Sequence, residues 1–430
     1  MSQTEKAAEP KPPASRIEAL DALRGVAVFG IFVINIIGLS MPEIAMSNPH
    51  YAGGGALNNG LWTAAQIFVE GSMRGLFSLM FGAGVILFTQ RAIYPDGPIR
   101  VADLFYRRTI WLTLFGLAHA FFLLMPGDIL LIYGLAGLFL FPFRILSPRK
   151  LMIWAAAALA FLSITLIPEE YAEYEMGTAA AQLEAAQASG QTLSDGDIAK
   201  IEEWREYSAR PDQDDIDAII AARTGDPATV FGSNAEAVIE ANDSYGLLWW
   251  SVDAIMMMFI GMAFYKWRII TAERTLKFYV MLAAFSYAFA IPARCWMLWT
   301  RWEADFSTVL WLPWAIDQPV RVIMTIGHIG LFFTLWKFYS SSLPMRALSA
   351  AGRMALSNYI GQTIICGLLF TGVGFGLYGS LDLATVYLIM VAVWLAQLTI
   401  SSWWLARFRF GPLEWGWRAL TYGHRPPLRK

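Results

Sequence analysis

The sequence predicts an all-α fold, a polytopic integral membrane bundle of about ten transmembrane helices. Composition is the first reason, because 57% of the residues are hydrophobic and only 15% are charged, whereas soluble domains carry roughly 25% charged residues. The second reason is a series of apolar runs, each near the roughly 20 residues that cross a bilayer. Ten runs are predicted as helices, at 22–41, 74–90, 109–125, 128–146, 150–167, 247–265, 277–298, 319–338, 353–376 and 384–406.

The positions of Lys and Arg orient these runs. Connections on the cytoplasmic side of a membrane are enriched in both residues. Here basic clusters precede the first run, occupy alternate connections and follow the tenth run, whereas the connections 42–60, 126–127 and 377–383 contain neither residue. This pattern places the amino and carboxyl termini on the cytoplasmic side of the membrane. The expected partner is then the lipid bilayer. The sequence leaves the oligomeric state open, and a homodimer is one of the open alternatives.

The charge pattern also divides the chain. Residues 1–21 are predicted as a disordered cytoplasmic segment, 22–167 as a first bundle of about five helices, and 247–430 as a second bundle with a basic cytoplasmic tail. Between them, the extracytoplasmic connection 168–246 holds 18 acidic and four basic residues, a net charge of −14; because the chain as a whole carries −2, the remainder carries +12. The connection is predicted to be helical over 172–190 and 195–222. It could cap the outer face or form a solvated acidic loop.

The stretch 116–130 places an ionisable pair at membrane depth. His119 lies inside one apolar run, Pro126 and Gly127 break it, and Asp128 opens the next. Ionisable side chains are costly in a membrane and mark functional sites. A hairpin with a three-residue turn would bring the pair together near the outer face, and a carboxylate that fixes a histidine tautomer makes a general base. In the alternative reading, the histidine bonds a carbonyl and Asp128 only caps its helix.

Other polar groups are expected inside the bundle. Arg24 pairs with Asp21 near the cytoplasmic end of the first helix or binds a phosphate there. Asn35 follows Arg24 by eleven residues, on nearly the same helix face and about 16 Å deeper; it either joins helices or lines a substrate path. Glu70 and Arg74 are expected to pair at the outer side.

Further substrate-path candidates lie in the second half. They are His328, Asn358 and Gln362. Asp253, Arg294, Asp317 and Arg321 could line the same cavity or pair among themselves. The sequence contains no metal-ligand spacing, nucleotide-binding signature or nucleic-acid motif.

Several motifs taken in order resemble the YeiB-like membrane protein family, whose carboxyl-terminal half is a domain of unknown function, number 418. The matching stretches are 16–25, 77–84, 106–108, 116–130, 352–362 and 411–418. The family is similar to transmembrane acyltransferases, which move an acyl group from a coenzyme A thioester to a hydroxyl or amine, often of an envelope sugar. In those enzymes the first helix carries an arginine, ten residues and a histidine; Arg24 matches the arginine, but Asn35 occupies the histidine position.

The resemblance therefore implies a membrane acyltransferase whose base lies elsewhere, with His119, oriented by Asp128, in that role. Acyl-coenzyme A would be a loosely held co-substrate near Arg24, Arg107 and Arg108, and Asn35 would stabilise the oxyanion. The acceptor would be a small molecule or a glycan. Two other functions stay open, a transporter or channel for a small solute and a non-catalytic scaffold or sensor.

Overall fold

The computed structural model describes residues 17–90, 98–306 and 311–430. The predicted fold class is confirmed, because all ten apolar runs contain helix and the described residues form no β-strand. The helices are α1 (Glu18–Ser40), α2 (Ile44–Ser47), α3 (Gly55–Phe68), α4 (Ser72–Thr89), α5 (Pro98–Phe122), α6 (Ile129–Leu140), α7 (Pro148–Ala188), α8 (Asp195–Tyr207), α9 (Gln213–Thr224), α10 (Pro227–Ala241), α11 (Ser244–Lys266), α12 (Leu276–Glu303), α13 (Trp311–Tyr339), α14 (Leu343–Arg353), α15 (Ala355–Phe370), α16 (Leu383–Arg407) and α17 (Pro412–Tyr422).

Helix α1 begins inside the segment that was predicted to be disordered. Residues 1–16 of that segment lie outside the described residues, but α1 starts at Glu18 rather than at residue 22. Glu18 and Asp21 lie in its first turn, where carboxylates favour helix formation through the helix dipole.

The predicted spans differ in length within the part of the chain that is described. Seven helical segments there are long and apolar enough to cross a membrane, and α3 with α4 counts as one of them. Two further apolar helices are shorter, Ile129–Ile145, which is α6 with the 3₁₀ turn that follows it, and α15. Helix α15 has 16 residues, which rise only about 24 Å, less than the roughly 30 Å hydrocarbon core. Helix α5 carries charged residues in its first half.

The two predicted five-helix groups share one hydrophobic core. Buried side chains of α1, α4, α5, α6 and α7 pack in one cluster with those of α11, α12, α13 and α15. A second cluster joins α1 and α3 to α15 and α16. Large apolar side chains elsewhere face outward, among them Phe122, Phe285 and Leu388 at 71–72% exposure, as expected for helices in contact with lipid.

The basic and acidic connections lie at opposite ends of the bundle. At the basic end, Lys266 donates to the Arg144 and Leu146 carbonyls, and Arg353 donates to the Arg409 carbonyl. At the acidic end, residues of the connection 168–246 contact other loops, as where the Gly372 N–H donates to the Arg223 carbonyl. This segregation agrees with the charge asymmetry of the sequence.

The acidic connection folds into helices that differ from those predicted. Helix α7 continues without a break to Ala188, and the predicted helix 195–222 is divided around Pro211 into α8 and α9, because proline breaks a helix interior. Helix α10 packs on α5, where the Asn234 amide donates to the Ala120 carbonyl at 2.9 Å. Of the two readings of this segment, the contacts favour a cap over the bundle.

The basic tail is also folded. Helix α17 packs against α5 and α15, and the Trp417 indole donates to the Arg108 carbonyl at 2.9 Å. The Glu414 carboxylate accepts from the N–H groups of Leu356 and Ser357 at 2.8 and 3.1 Å. It thereby satisfies donors at the start of α15 that have no partner within that helix.

Candidate functional site

Helices α5 and α6 form a hairpin with backbone contact. A Cβ atom at Gly116 would lie 2.2 Å from the Leu131 nitrogen, and one at Gly134 would lie 2.2 Å from Thr113 Oγ1, so no larger residue fits at either position. The turn is longer than the three residues predicted, because α5 ends at Phe122. Its left-handed residue is Leu124, with φ of 62°, rather than Gly127.

The hairpin joins His119 to Asp128. His119 Nδ1 lies 2.8 Å from Asp128 Oδ1, and the Tyr359 hydroxyl donates to the same oxygen at 3.0 Å. The other carboxylate oxygen accepts from the Leu131 N–H at 3.2 Å, so Asp128 caps α6 as well as contacting the histidine. The predicted His119–Asp128 contact is therefore present, and Asp128 also has the capping role of the alternative.

The arrangement fixes the state of the histidine ring. An ionised carboxylate only accepts hydrogen bonds, so in the His119–Asp128 contact Nδ1 is the donor. His119 and Asp128 are 1% and 2% exposed, and Nε2 has no hydrogen-bond partner among the described residues. Buried polar atoms are nearly always paired, so the free Nε2 is chemically unusual and suited to accept a proton.

The pair lies deeper in the bundle than the sequence predicts. Helix α10 covers the tip of the hairpin, where Asn242 donates to the Pro126 carbonyl at 3.1 Å. Tyr359 reaches the pair from the second turn of α15, which starts near the basic end. Along α5, His119 follows Arg108 by eleven residues, or about 16 Å. The hairpin tip is thus covered at the acidic end, and about three turns of α5 separate the pair from Arg108.

A second buried polar group surrounds the break between α3 and α4, and we call it the helix-break cluster; its members are Glu70, Ser72, Arg74, Asp253, Arg294, Asp317, Arg321 and His328. Arg294 Nη1 donates to the carbonyls of Gln66 and Glu70 at 2.7 and 3.0 Å. His328 Nε2 lies 2.8 Å from the Phe68 carbonyl. These contacts satisfy the last carbonyls of α3, which lack partners within the helix.

An ion-pair network crosses the same cluster. Arg321 binds the Asp253 carboxylate, and Arg74 Nη2 lies 3.7 Å from its other oxygen. Glu70 lies outside both helices, so the predicted Glu70–Arg74 pair is replaced by the Arg74–Asp253 pair. Asp253 and Arg321 are 2% and 1% exposed, so each depends on the other for charge compensation. Of the two readings of these charges, pairing among themselves is the one observed.

Tyr133 of α6 links this network to the hairpin. Its hydroxyl lies 2.6 Å from Ser78 Oγ and 3.2 Å from the Arg74 carbonyl. Tyr133 lies five residues after Asp128, which caps the same helix. We call the helix-break cluster and the histidine pair, together with Tyr133 and Tyr359, the polar layer.

The other path candidates are fully hydrogen-bonded. His328 Nδ1 lies 2.7 Å from the Tyr287 hydroxyl, so both ring nitrogens have partners. Asn358 and Gln362 form a separate network with α16, in which Gln362 donates to Gln397 at 3.0 Å and Asn358 donates to Ser401 at 3.1 Å. That network serves helix packing and does not reach His119.

The residues predicted to bind coenzyme A gather at the basic end. Arg24 pairs with Asp21 at 3.2 Å, and Arg108 lies close enough to Arg24 and Arg418 for their charges to act on it. Arg107 contacts the Leu420 carbonyl of α17 at 3.4 Å. Asn35 is half-buried on α1, and no hydrogen bond within the described segments joins it to the histidine pair.

Comparison with known proteins extends over nearly the whole chain. Residues 264–424 match the family described as "Protein of unknown function (DUF418)". The chain is 28% identical to "Uncharacterized protein YxaH" of Bacillus subtilis, over 98% of both chains. It is also 28% identical to "Uncharacterized protein YeiB" of Escherichia coli, over 94% of this chain and 95% of that one. The chain is therefore similar over nearly its whole length to YeiB and YxaH, and its carboxyl-terminal part matches the DUF418 family.

Sequence reasoning missed two tyrosines of the polar layer. Tyr133 and Tyr359 are 2% and 3% exposed, and a buried tyrosine hydroxyl needs a partner. That requirement was the available signal, but it does not distinguish these tyrosines from others in apolar runs.

Proposed function

We propose that this protein is an acyltransferase, moving an acyl group from a coenzyme A thioester to a hydroxyl or amine acceptor. The observation that carries the proposal is the buried His119, whose Nδ1 is held by Asp128 while Nε2 is free. This is the arrangement of a general base whose tautomer is fixed by a carboxylate. The acyltransferase-like motifs of the sequence point to the same chemistry.

The reaction balances with these residues. His119 Nε2 takes the proton of the acceptor O–H or N–H as the acceptor oxygen or nitrogen attacks the thioester carbonyl. The tetrahedral intermediate then expels the coenzyme A thiolate, which receives the same proton from His119. Asp128 stays ionised and stabilises the imidazolium, and Tyr359 holds the carboxylate in place. The products are the acylated acceptor and free coenzyme A.

The proposed geometry uses both ends of the bundle. The protein would lie in the bacterial plasma membrane with its basic end in the cytoplasm, where acyl-coenzyme A is made. The cofactor phosphates would meet Arg24, Arg107 and Arg108, since guanidinium groups bind phosphates in a charge-assisted way. The distance of about 16 Å along α5 from Arg108 to His119 is one that the pantetheine arm would have to bridge.

The test uses purified full-length protein in nanodiscs with acetyl-coenzyme A. We expect saturable binding and a slow release of free thiol, and His119→Gln should reduce thiol release at least about 100-fold, the usual contribution of a general base. His50→Gln is the control, since that side chain is 47% exposed and lies outside the polar layer. Failure of the wild-type protein to bind or cleave the thioester would refute the proposal.

Solute transport is a second candidate, and the helix break favours it. Transporters bind substrates at discontinuous helices near the bilayer midplane. Here α3 and α4 are interrupted at Val69–Gly71, beside the buried charges of Arg294, Arg321 and Asp253. Uptake of a solute into proteoliposomes that is lost in Asp253→Asn, without thioester binding, would assign the protein to transport.

A further inference from the structure

The basic end contains a cavity that neither the histidine pair nor the helix-break cluster uses. It has a volume of about 450 Å³ and lies where α4, α6 and α11 end. We call it the basic-end pocket; the lining residues that matter are Arg144, Ile145, Lys266, Arg268, Thr271 and Glu273. Its volume falls within the range of small-molecule sites.

The cations of this pocket are only partly neutralised. Arg268 pairs with Glu273 at 2.9 Å. Lys266 donates to two backbone carbonyls at 2.6 and 2.5 Å, which leaves one of its three ammonium protons available. No ion pair in the described part of the chain joins Lys266 or Arg144 to a carboxylate. The pocket therefore carries a surplus of positive charge.

Two further donors line the pocket, and one of them is unsatisfied. Arg144 Nη1 donates to the Phe141 carbonyl at 2.8 Å, but its Nε is buried and has no partner among the described residues. Thr271 Oγ1 is buried close to Glu273, whose carboxylate it stabilises, so the pKa of Glu273 is lowered. An unpaired donor beside surplus cations creates a site for a group with several acceptor oxygens and negative charge.

The surroundings indicate a ligand that is also apolar. Ile145 at the pocket wall is 72% exposed, and Phe139, on the preceding turns of α6, is 64% exposed. Large apolar side chains exposed at the ends of membrane helices are expected to contact lipid. Basic pockets between helix ends at the cytoplasmic interface bind lipid headgroups.

We propose that the basic-end pocket binds the phosphate of an anionic phospholipid, with Arg144, Lys266 and Thr271 on the headgroup and the acyl chains along Ile145 and Phe139. The site is separate from the proposed acyl-transfer site, since Arg144 follows Asp128 by 16 residues at the far end of α6. The inference therefore stands whether or not the protein is an acyltransferase.

The experiment is a titration of the purified full-length protein, in detergent, with phosphatidylglycerol and phosphatidylcholine, read by native mass spectrometry. We expect phosphatidylglycerol to bind more tightly. Arg144→Gln should weaken its binding about tenfold or more, the loss of one charge-assisted hydrogen bond, and Thr271→Val about threefold. Lys277→Gln removes an exposed cation outside the pocket and should leave binding unchanged.

The variants separate the outcomes. Thr271→Val is isosteric and removes a single hydroxyl, whose neighbour Glu273 keeps its pairing with Arg268, so it should fold even if Arg144→Gln does not. Equal binding of both lipids, or equal losses in Lys277→Gln and the pocket variants, would overturn the proposal. A parallel arm uses inorganic phosphate: if it binds with the same dependence on Thr271 while phosphatidylglycerol does not, the pocket serves soluble phosphates and the lipid assignment is wrong.

Discussion

At the scale of single residues, the cost of burying polar groups decides which side chains the sequence can reveal. His119 and Asp128 stand out because each is ionisable inside an apolar stretch, and the structure places them 2.8 Å apart. Tyr359, which completes the group, could not be singled out, because its ring also fills hydrophobic cores. Arg74 was predicted in the right layer with the wrong partner, since its partner Asp253 is distant in sequence.

The Tyr359 hydroxyl should stabilise the fold through Asp128. Tyr359→Phe removes a donor to the buried carboxylate, so we expect the free energy of unfolding to fall by about 1 kcal/mol, measured by thermal or denaturant unfolding in detergent. Tyr387→Phe is the matched control, because the Tyr387 hydroxyl is buried without a partner and its removal should cost nothing. Equal losses in both variants would show that the Tyr359 hydrogen bond contributes no stability.

At the scale of elements, the break between α3 and α4 shows which helices the hydropathy pattern of the sequence can predict and which it cannot. The apolar run 74–90 predicted α4 correctly within two residues, but α3 was not predicted because Asn58 and Asn59 interrupt its hydrophobic pattern. Its last carbonyls depend on Arg294 from α12, a long-range contact that no local pattern contains. The helices α6 and α15 were likewise predicted too long. The residues that follow them are mostly apolar as well, and an apolar run does not show where its helix ends.

Arg294 should hold the end of α3 in place. Arg294→Leu leaves the carbonyls of Gln66 and Glu70 without their donor, and each unsatisfied buried group costs about 1–3 kcal/mol. We expect a clear loss of thermal stability and faster hydrogen exchange in 60–70. Arg294→Lys retains an ammonium donor and should recover part of the loss. If Leu and Lys behave alike, the carbonyl contacts do not stabilise the break.

Glu414 should dock α17 on the bundle. Glu414→Ala removes the acceptor for the Leu356 and Ser357 N–H groups and for the Ser357 hydroxyl, the last at 2.6 Å. Burial raises the pKa of Glu414, while these hydrogen bonds lower it. We expect protease cleavage between α16 and α17 to accelerate in Glu414→Ala. Arg425→Ala, at an exposed position beyond α17, should leave cleavage unchanged, and the same acceleration there would argue against docking through Glu414.

At the scale of the whole molecule, charge and hydropathy predict a helical bundle with an acidic and a basic end. They do not predict how the two halves and helix α10 pack on each other. The separation of a connection at −14 from a remainder at +12 agrees with the acidic and basic ends of the bundle. The sequence could not show that α10 would close over the hairpin or that the halves would share a core, because both depend on contacts between distant segments. The enclosed polar layer is the result of that closure.

The orientation of the two ends decides whether the proposed chemistry is physically available. Single cysteines at Ser189→Cys and Ser341→Cys, in a background with Cys295 and Cys366 replaced, place matched exposed thiols at the acidic and basic ends. A membrane-impermeant maleimide should label Ser189→Cys in intact cells and Ser341→Cys only after permeabilisation, because the positive-inside rule puts the basic end in the cytoplasm. The reverse pattern would place Arg24 and Arg108 outside, away from cytoplasmic coenzyme A. In that case a thioester could not reach His119 from the basic end, and transport through the polar layer would become the better explanation.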